Sequence, residues 1–334
     1  MKKIRIGDRL IGEGEPTFII AEAGVNHNGD VELARRLIDV AKEAEVDAVK
    51  FQSFQVDKLS IKSEPQYEML QRLELKKDDF ILLSGYAKDK GVKFLSSPFD
   101  EEGVDLLVDL EVPAIKVASG EITNLPFLRY IAKKGLSIIL STGMSTLGEI
   151  EEAVDTIKSE GNEDIILLHC TSNYPAKPED VNLKAMDTLR QAFNLQIGYS
   201  DHTLGIEIAL ASVSRGAKVL EKHFTLDKNL PGPDHKTSLE PFELKQMVEG
   251  IRAIEKAMGS GLKRPVSSEL KVRKTARRSI VAKTDIQNGM TITQDMLAIK
   301  RPGFGLSPKY IDLVIGRKAK RYIRSDEVIT WNDI

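Results

Sequence analysis

The stretch GYSDHTLGIEIALASVSRGAKVLEKHFTLDKNLPGPDHKTSLE, from Gly198 to Glu240, holds most of one strand, helix, strand unit. Gln196 to Ser200 and Lys218 to Glu221 are short apolar runs that end in polar residues, as buried parallel strands do. Ile206 to Val213 between them has the composition and length of a helical crossover. Each strand delivers a histidine just past its C-terminal end, His202 after Ser200-Asp201 and His223 after Glu221-Lys222. Imidazoles on adjacent parallel strands can converge on one divalent cation whose remaining positions are filled by water or substrate, which is the open sphere a catalytic ion needs. Spacing alone equally fits two loop histidines that hydrogen-bond backbone, so the neighbouring units have to decide.

Working outward, the same unit recurs. Thr17 to Ala21 is a buried run ending in Glu22, and Asp30 caps a helix whose Leu33, Leu37, Ile38 and Ala41 share a face. Further strands are expected at Asp47 to Phe51, Val92 to Leu95, Ala114 to Val117, Ser137 to Leu140 and Ile165 to Leu168, which with the three above makes eight. Thr146 with Glu149 forms a capping box ahead of the stripe Ile150, Ala153, Val154 and Ile157. Pro126 opens a helix after Asn124, and Gly135 stops it. Eight such units indicate a (β/α)₈ barrel, an α/β fold, rather than an open doubly wound sheet. Ahead of it, Lys3 to Gly12 alternates around Gly7-Asp8 as a small hairpin that would plug the barrel's bottom.

After a helix over Phe242 to Met258 the composition changes to Gly, Ser, Lys and Pro and then to the basic run Lys271 to Arg278. This reads as a barrel domain over residues 1–260, a linker over 261–278 and a small, mostly β domain over 279–334. An internal echo marks the last part: Ala282-Lys283-Thr284-Asp285-Ile286 with Ile292-Thr293, then Ala319-Lys320-Arg321-Tyr322-Ile323 with Ile329-Thr330.

With 334 residues there is room for a barrel of roughly 250 and an appendage. A formal charge of -2, with 29% charged residues of both signs, argues against nucleic acid or a polybasic membrane anchor. Cys170 is the only cysteine, so no intrachain disulfide forms and a reducing, cytoplasmic setting is expected. The start MKKIRIGDRL is too poor in apolar residues for a signal peptide, and no run approaches the length of a membrane span.

In barrels of this kind the working groups gather at the C-terminal strand ends. Here those ends carry Glu22 and Asn26, Lys50 and Gln52, Ser96 and Ser97, Lys116 with Ser119 and Glu121, Ser141, His169 to Tyr174, Ser200 with His202, and His223. Buried lysines and carboxylates are costly unless paired or functional, so packing does not explain the set. Two lysines with hydroxyls from several loops make an anion clamp suited to a small molecule bearing both phosphate and carboxylate, such as phosphoenolpyruvate. His27 and His169 read as hydrogen-bonding scaffold and Cys170 as inert core.

The motifs AEAGVNHNGD, DAVKFQSF, FLSSPFD, KVASGEITNLP, ILSTGM, LLHCTSNYP, GYSDHTLG, EKHFTLD and PGPD occur in that order. The chain, from about Ile19 to its end, resembles the bacterial sialic acid synthase family of nonulosonate synthases, with a C-terminal antifreeze-like (SAF) domain. The resemblance implies condensation of phosphoenolpyruvate with an open-chain N-acetylated hexosamine, N-acetylmannosamine for the sialate-making members, to give a nine-carbon 2-keto acid and phosphate. It implies a divalent metal, Mn²⁺ ahead of Mg²⁺ or Co²⁺, on His202 and His223. Phosphoenolpyruvate contacts fall on Lys50, Ser97, Lys116, Ser119, Ser141 and Ser200. Sugar contacts fall on Gln52, Glu121, Tyr174 and Asp234, with Arg301 of KRPGFG supplied by a partner in a homodimer that exchanges C-terminal domains. Glu22 is the candidate for orienting or deprotonating the attacking water, or else it orders a lysine.

The chain departs from the sialate pattern at Thr171-Ser172-Asn173-Tyr174, at Phe304, and in a short Val56 to Leu75 segment. The expected reaction is synthesis of N-acetylneuraminate from N-acetylmannosamine; these positions border the sugar and admit 2,4-diacetamido-2,4,6-trideoxymannose, giving legionaminate, as the alternative acceptor. A 3-deoxy-octulosonate-type synthase would need a basic pocket for the acceptor's phosphate, which the neutral and acidic sugar-side residues do not offer. A flat C-terminal binding module with the barrel as carrier would have no use for Lys50, Lys116, His202 and His223.

Overall fold

The computed structural model describes all 334 residues, and they divide into two compact units, Met1–Gly259 and Ser260–Ile334. In the first unit, β1 (Ile4–Ile6) and β2 (Arg9–Ile11) pair antiparallel about Gly7-Asp8. Eight parallel strands follow: β3 (Phe18–Gly24), β4 (Ala48–Ser53), β5 (Lys93–Pro98), β6 (Ala114–Val117), β7 (Ser137–Ser141), β8 (Ile165–Cys170), β9 (Gln196–Asp201) and β10 (Val219–His223). Their order is β5-β4-β3-β10-β9-β8-β7-β6. Since β5 and β6 also lie side by side without sharing a ladder, the sheet is a nearly closed barrel.

Helices cover its outside, among them Val31–Glu43, Lys77–Lys90, Glu101–Asp109, Leu125–Ala132, Leu147–Ser159, Ala185–Phe193, Glu207–Ser214 and Pro241–Met258. Their starts follow the expected chemistry. Asp30 accepts from the Glu32 and Leu33 amides, the Thr146–Glu149 capping box is formed, and Asn124 caps the helix that carries Pro126. Their apolar faces pack on the outward strand residues in one large core that includes Leu37, Ile38, Val49, Phe51, Leu83, Ile115, Leu140, Ile157, Leu167, Tyr199 and Leu220.

The inward strand residues make a second core. Phe18, Ile20, Ala48, Leu95, Ala114, Ile139, Ile166, Leu168 and Val219 fill the lower barrel. Ile4, Ile6 and Ile11 belong to the same cluster, so the hairpin is the barrel's plug. It is pinned there by Gln196 Nε2 donating to the Lys2 carbonyl (2.8 Å) and Ser137 Oγ donating to that of Arg5 (2.8 Å). Gly198 has to lack a side chain, because a Cβ there would sit 2.4 Å from the Val219 carbonyl oxygen and 2.5 Å from Leu168 Cδ2.

The second unit holds a helix at Glu269–Ala276 with no buried residue, and β11 (Ser279–Ala282) paired antiparallel with β12 (Leu297–Lys300). The sequence echo is a pseudo-twofold. Ile286 and Ile323, equivalent in the echo, exchange backbone hydrogen bonds with each other, both 2.9 Å. The bridge Val281–Val328 is matched by Thr291–Lys318. Ile280, Ile286, Ile292, Ile323 and Ile329 form its small core.

Candidate active site

Side chains alternate in and out along a strand. Two residues beyond the apolar lower layer, the same inward face presents Glu22, Lys50, Ser97, Lys116, Ser141, Cys170, Ser200 and Glu221, one from each barrel strand. They line the bottom of a cavity of about 330 Å³, within the usual range for small-ligand sites, whose wall also includes Gln52, Ser119, Ser172, Tyr174, His202 and His223.

Lys50 Nζ lies 2.8 Å from Glu22 Oε2, 3.8 Å from Glu221 Oε1 and 3.0 Å from Ser97 Oγ, which accepts its hydrogen bond. Lys116 Nζ lies 3.6 Å from the same Glu221 oxygen, which also accepts from Ser200 Oγ at 3.2 Å. Two ammonium groups therefore flank one carboxylate. Ser141 Oγ and Glu221 Oε2 are buried without a hydrogen-bond partner, and Ser119 Oγ accepts from the Gly143 amide at 3.0 Å. Gly143 lets Ser172 and Ser119 approach, since a Cβ would come within 2.2 Å of Ser172 Oγ and displace that side chain.

Burial moves these groups in different directions. It pushes the Glu22 carboxyl up to about 7, against the pull of Lys50. Burial alone would lower Lys50, but the carboxylates of Glu22 and Glu221 more than offset it and hold the ammonium above its ordinary range. Lys116 is lowered, by burial and by the charge of Lys50, despite Glu221. Burial would raise Glu221, yet Lys116 and Lys50 keep it below the usual carboxylate range. The β3–β4 register shifts between Glu22 and Gly24, and this bulge sits beside the one carboxylate that is raised. Gln52 Nε2 donates to Glu22 Oε1 at 3.2 Å.

The two histidines meet as the strand reading expected, with ring centroids 5.6 Å apart at 62°. His202 Nδ1 lies 2.7 Å from the Thr171 carbonyl, which can only accept, so Nδ1 carries the proton and Nε2 the lone pair. Tyr174, half exposed at the cavity mouth, donates to that Nε2 at 3.0 Å. Burial lowers His223, keeping it neutral, and its Nδ1 has no hydrogen-bond partner, with Asp234 Oδ2 3.8 Å away. No group of three or more His, Cys, Asp and Glu side chains is placed to enclose a cation. The two imidazoles fit an ion bound with most of its coordination sphere left open.

Of the other expected residues, Glu121 lies on a turn after β6 and accepts from Asn124 Nδ2 at 2.8 Å, away from the cavity wall. Arg301 belongs to the second unit and is exposed. His169 is scaffold, with Nε2 2.6 Å from the Val181 carbonyl. Cys170 is buried as expected, and it also lines the site. It faces the cavity with Sγ 3.7 Å from His202 Nδ1, and it also borders an adjoining cavity of about 630 Å³ between the loops after β7 and β8. Burial would raise its thiol, but His202 and Lys116 bring it below the ordinary value. Glu221, the carboxylate between the lysines, was missed; its position two residues before His223 on one strand was the available signal.

A NeuB family model matches residues 37–263 and a SAF domain model residues 277–334. The chain belongs to the NeuB family. Members are phosphoenolpyruvate-using sugar-acid synthases, and the chain is accordingly a carbon–carbon bond-forming transferase. It is 47% identical to the N,N'-diacetyllegionaminic acid synthase of Legionella pneumophila, over 97% of this chain and 96% of that one. It is 39% identical to the human N-acetylneuraminate-9-phosphate synthase, over 96% and 93%. Among solved structures, spore coat polysaccharide biosynthesis protein SpsE of Bacillus subtilis superposes with a TM-score of 0.71 at 40% identity, covering 100% of this chain and 99% of that one. No helix is long and apolar enough to cross a membrane.

Proposed function

We propose that the chain condenses phosphoenolpyruvate with the open-chain form of an N-acetylated amino sugar, and that 2,4-diacetamido-2,4,6-trideoxymannose, giving N,N'-diacetyllegionaminate, is preferred over N-acetylmannosamine. One observation carries the reaction class: a ring of inward residues in which Lys50 and Lys116 flank Glu221, with Ser97, Ser119, Ser141 and Ser200 around them and two imidazoles above. The preference is supported by the relationship to the Legionella enzyme and by the departures at Thr171–Tyr174 and Phe304. Lys50 and Lys116 are the only lysines or arginines lining the cavity, and both face glutamates, which disfavours a phosphorylated acceptor.

In this reading the lysines and serines hold the phosphate and carboxylate of phosphoenolpyruvate deep in the barrel. His202 and His223 would hold a divalent cation, Mn²⁺ first, which when bound supplies Lewis-acid polarisation of the aldehyde oxygen. The double bond of phosphoenolpyruvate opens as carbon 3 bonds to the aldehyde carbon, whose oxygen becomes an alkoxide that is protonated to the hydroxyl by the proton Glu22 takes from water in the next step. Glu22, with a carboxyl near neutrality, takes a proton from the water that adds at carbon 2. Cleavage of the bond from carbon 2 to the phosphate oxygen then releases phosphate and leaves the 2-keto acid. Gln52 keeps Glu22 oriented, and Tyr174 and Asp234 face the sugar. Arg301 from a second copy with an exchanged C-terminal domain completes the sugar side, while Glu121, held by Asn124 away from the cavity wall, is left out of it.

The test is phosphate release from phosphoenolpyruvate, with mass analysis of the product, across the diacetamido sugar, N-acetylmannosamine, its 6-phosphate and arabinose 5-phosphate. The diacetamido sugar is expected to show the highest kcat/KM and the phosphorylated sugars none. Turnover by wild type after chelation, or by His202→Ala, at the untreated rate would refute the metal assignment.

A further inference from the structure

The residues before the two histidines form an ion pair on the opposite face of the sheet. Asp201 and Lys222 are ladder partners on β9 and β10, and their side chains point out of the barrel into the helix layer, 0% and 1% exposed. Lys222 Nζ donates to Asp201 Oδ2 at 2.8 Å and to the Thr203 carbonyl. Asp201 Oδ1 accepts from the Thr203 amide (3.0 Å), the Thr203 hydroxyl (2.8 Å) and the Tyr199 phenol (3.2 Å). The residues on both sides of His202 are thus bound to the residue that precedes His223.

Neither charged group reaches the cavity. A buried ion pair is a poor source of net stability, since apolar side chains of similar volume often do as well. What it fixes is relative position. His223 Nδ1 has no hydrogen-bond partner, so that ring is placed by its strand and by packing against Tyr174 and His202. We propose that the Asp201–Lys222 pair is a positioning device that sets the spacing of His202 and His223 for one divalent cation. This rests on the metal reading above.

The experiment is Mn²⁺ titration of the full-length protein, following free Mn²⁺ by electron paramagnetic resonance, with phosphoenolpyruvate binding measured separately by calorimetry. The paired variant Asp201→Asn with Lys222→Met is expected to melt cooperatively and keep phosphoenolpyruvate affinity. Its Mn²⁺ affinity should fall roughly 10–100-fold, the usual effect of disturbing residues that orient ligands. A folded paired variant that binds Mn²⁺ within about twofold of wild type overturns the proposal. If that variant does not fold, Tyr199→Phe carries the test. It removes one donor to Asp201 and should weaken Mn²⁺ about threefold to tenfold, the worth of one hydrogen bond, and no change overturns the proposal. Wild-type Mn²⁺ affinity in His202→Ala would instead remove the metal reading itself. Loss in His202→Ala with no loss in the other variants removes only the positioning role.

Discussion

The lower and upper halves of the barrel are built from the same strands with the same period, yet they differ in every chemical respect. Below, Ile20, Leu95, Ile139, Ile166 and Val219 meet the hairpin's Ile4, Ile6 and Ile11 in a dry cluster. Above, one step of the pleat away, Glu22, Lys50, Lys116 and Glu221 face one another, with unpartnered oxygens on Ser141 and Glu221. The lower layer lowers the free energy of the fold, while the upper layer holds charges whose burial is costly and whose arrangement suits a ligand. Stability and chemistry are thus separated along the strand rather than around the barrel.

This contrast can be broken in four ways. Lys116→Met should leave a folded protein and cut turnover on the order of 10²–10³-fold, as expected for loss of a buried charge aimed at an anion; steady-state phosphate release reads it. Ile139→Ala, two residues before Ser141 on the same face, should do the reverse. It should destabilise by roughly 2–5 kcal/mol in urea unfolding, with activity per folded molecule unchanged.

Glu22→Gln tests the carboxyl that burial has raised. Because its folded value, about 7, lies above its ordinary 4.5, the native state binds the extra proton, and the stability due to Glu22 is full at low pH and declines as pH rises between those values. The variant should flatten that part of the stability profile. It should also cost about 100-fold in rate and abolish the acid limb near pH 7. Smallest is Ser141→Ala, which removes a buried hydroxyl without a partner. Stability should be unchanged or rise by up to about 1 kcal/mol, while KM for phosphoenolpyruvate rises several-fold.

The same contrast explains what was legible in the sequence. Eight apolar runs, the capping residues Asp30, Asn124 and Thr146, and the hairpin could be read because each rests on local periodicity or a short-range hydrogen bond. Strand ends were placed short. β5 runs on to Pro98, β8 to Cys170 and β10 to His223, because polar inward residues there look like loop when only hydrophobicity is followed. That truncation hid Glu221, which hydrophobicity marked as a strand end although alternation places it on the face of His223. Cys170 reads as core and is buried, but as a small apolar residue at the last inward position it also borders the cavity. The Asp201–Lys222 pairing depends on register between two strands, which no single segment specifies.

The hairpin that seals the barrel's base makes the cavity a vessel with one opening. In the proposed reading, phosphoenolpyruvate seated against Lys50 and Lys116 would have to arrive before the sugar settles at Tyr174 and His202, and would leave only after the sugar-side product departs. On that reading, the order of entry and exit would be set at the floor of the molecule, far from any group that reacts.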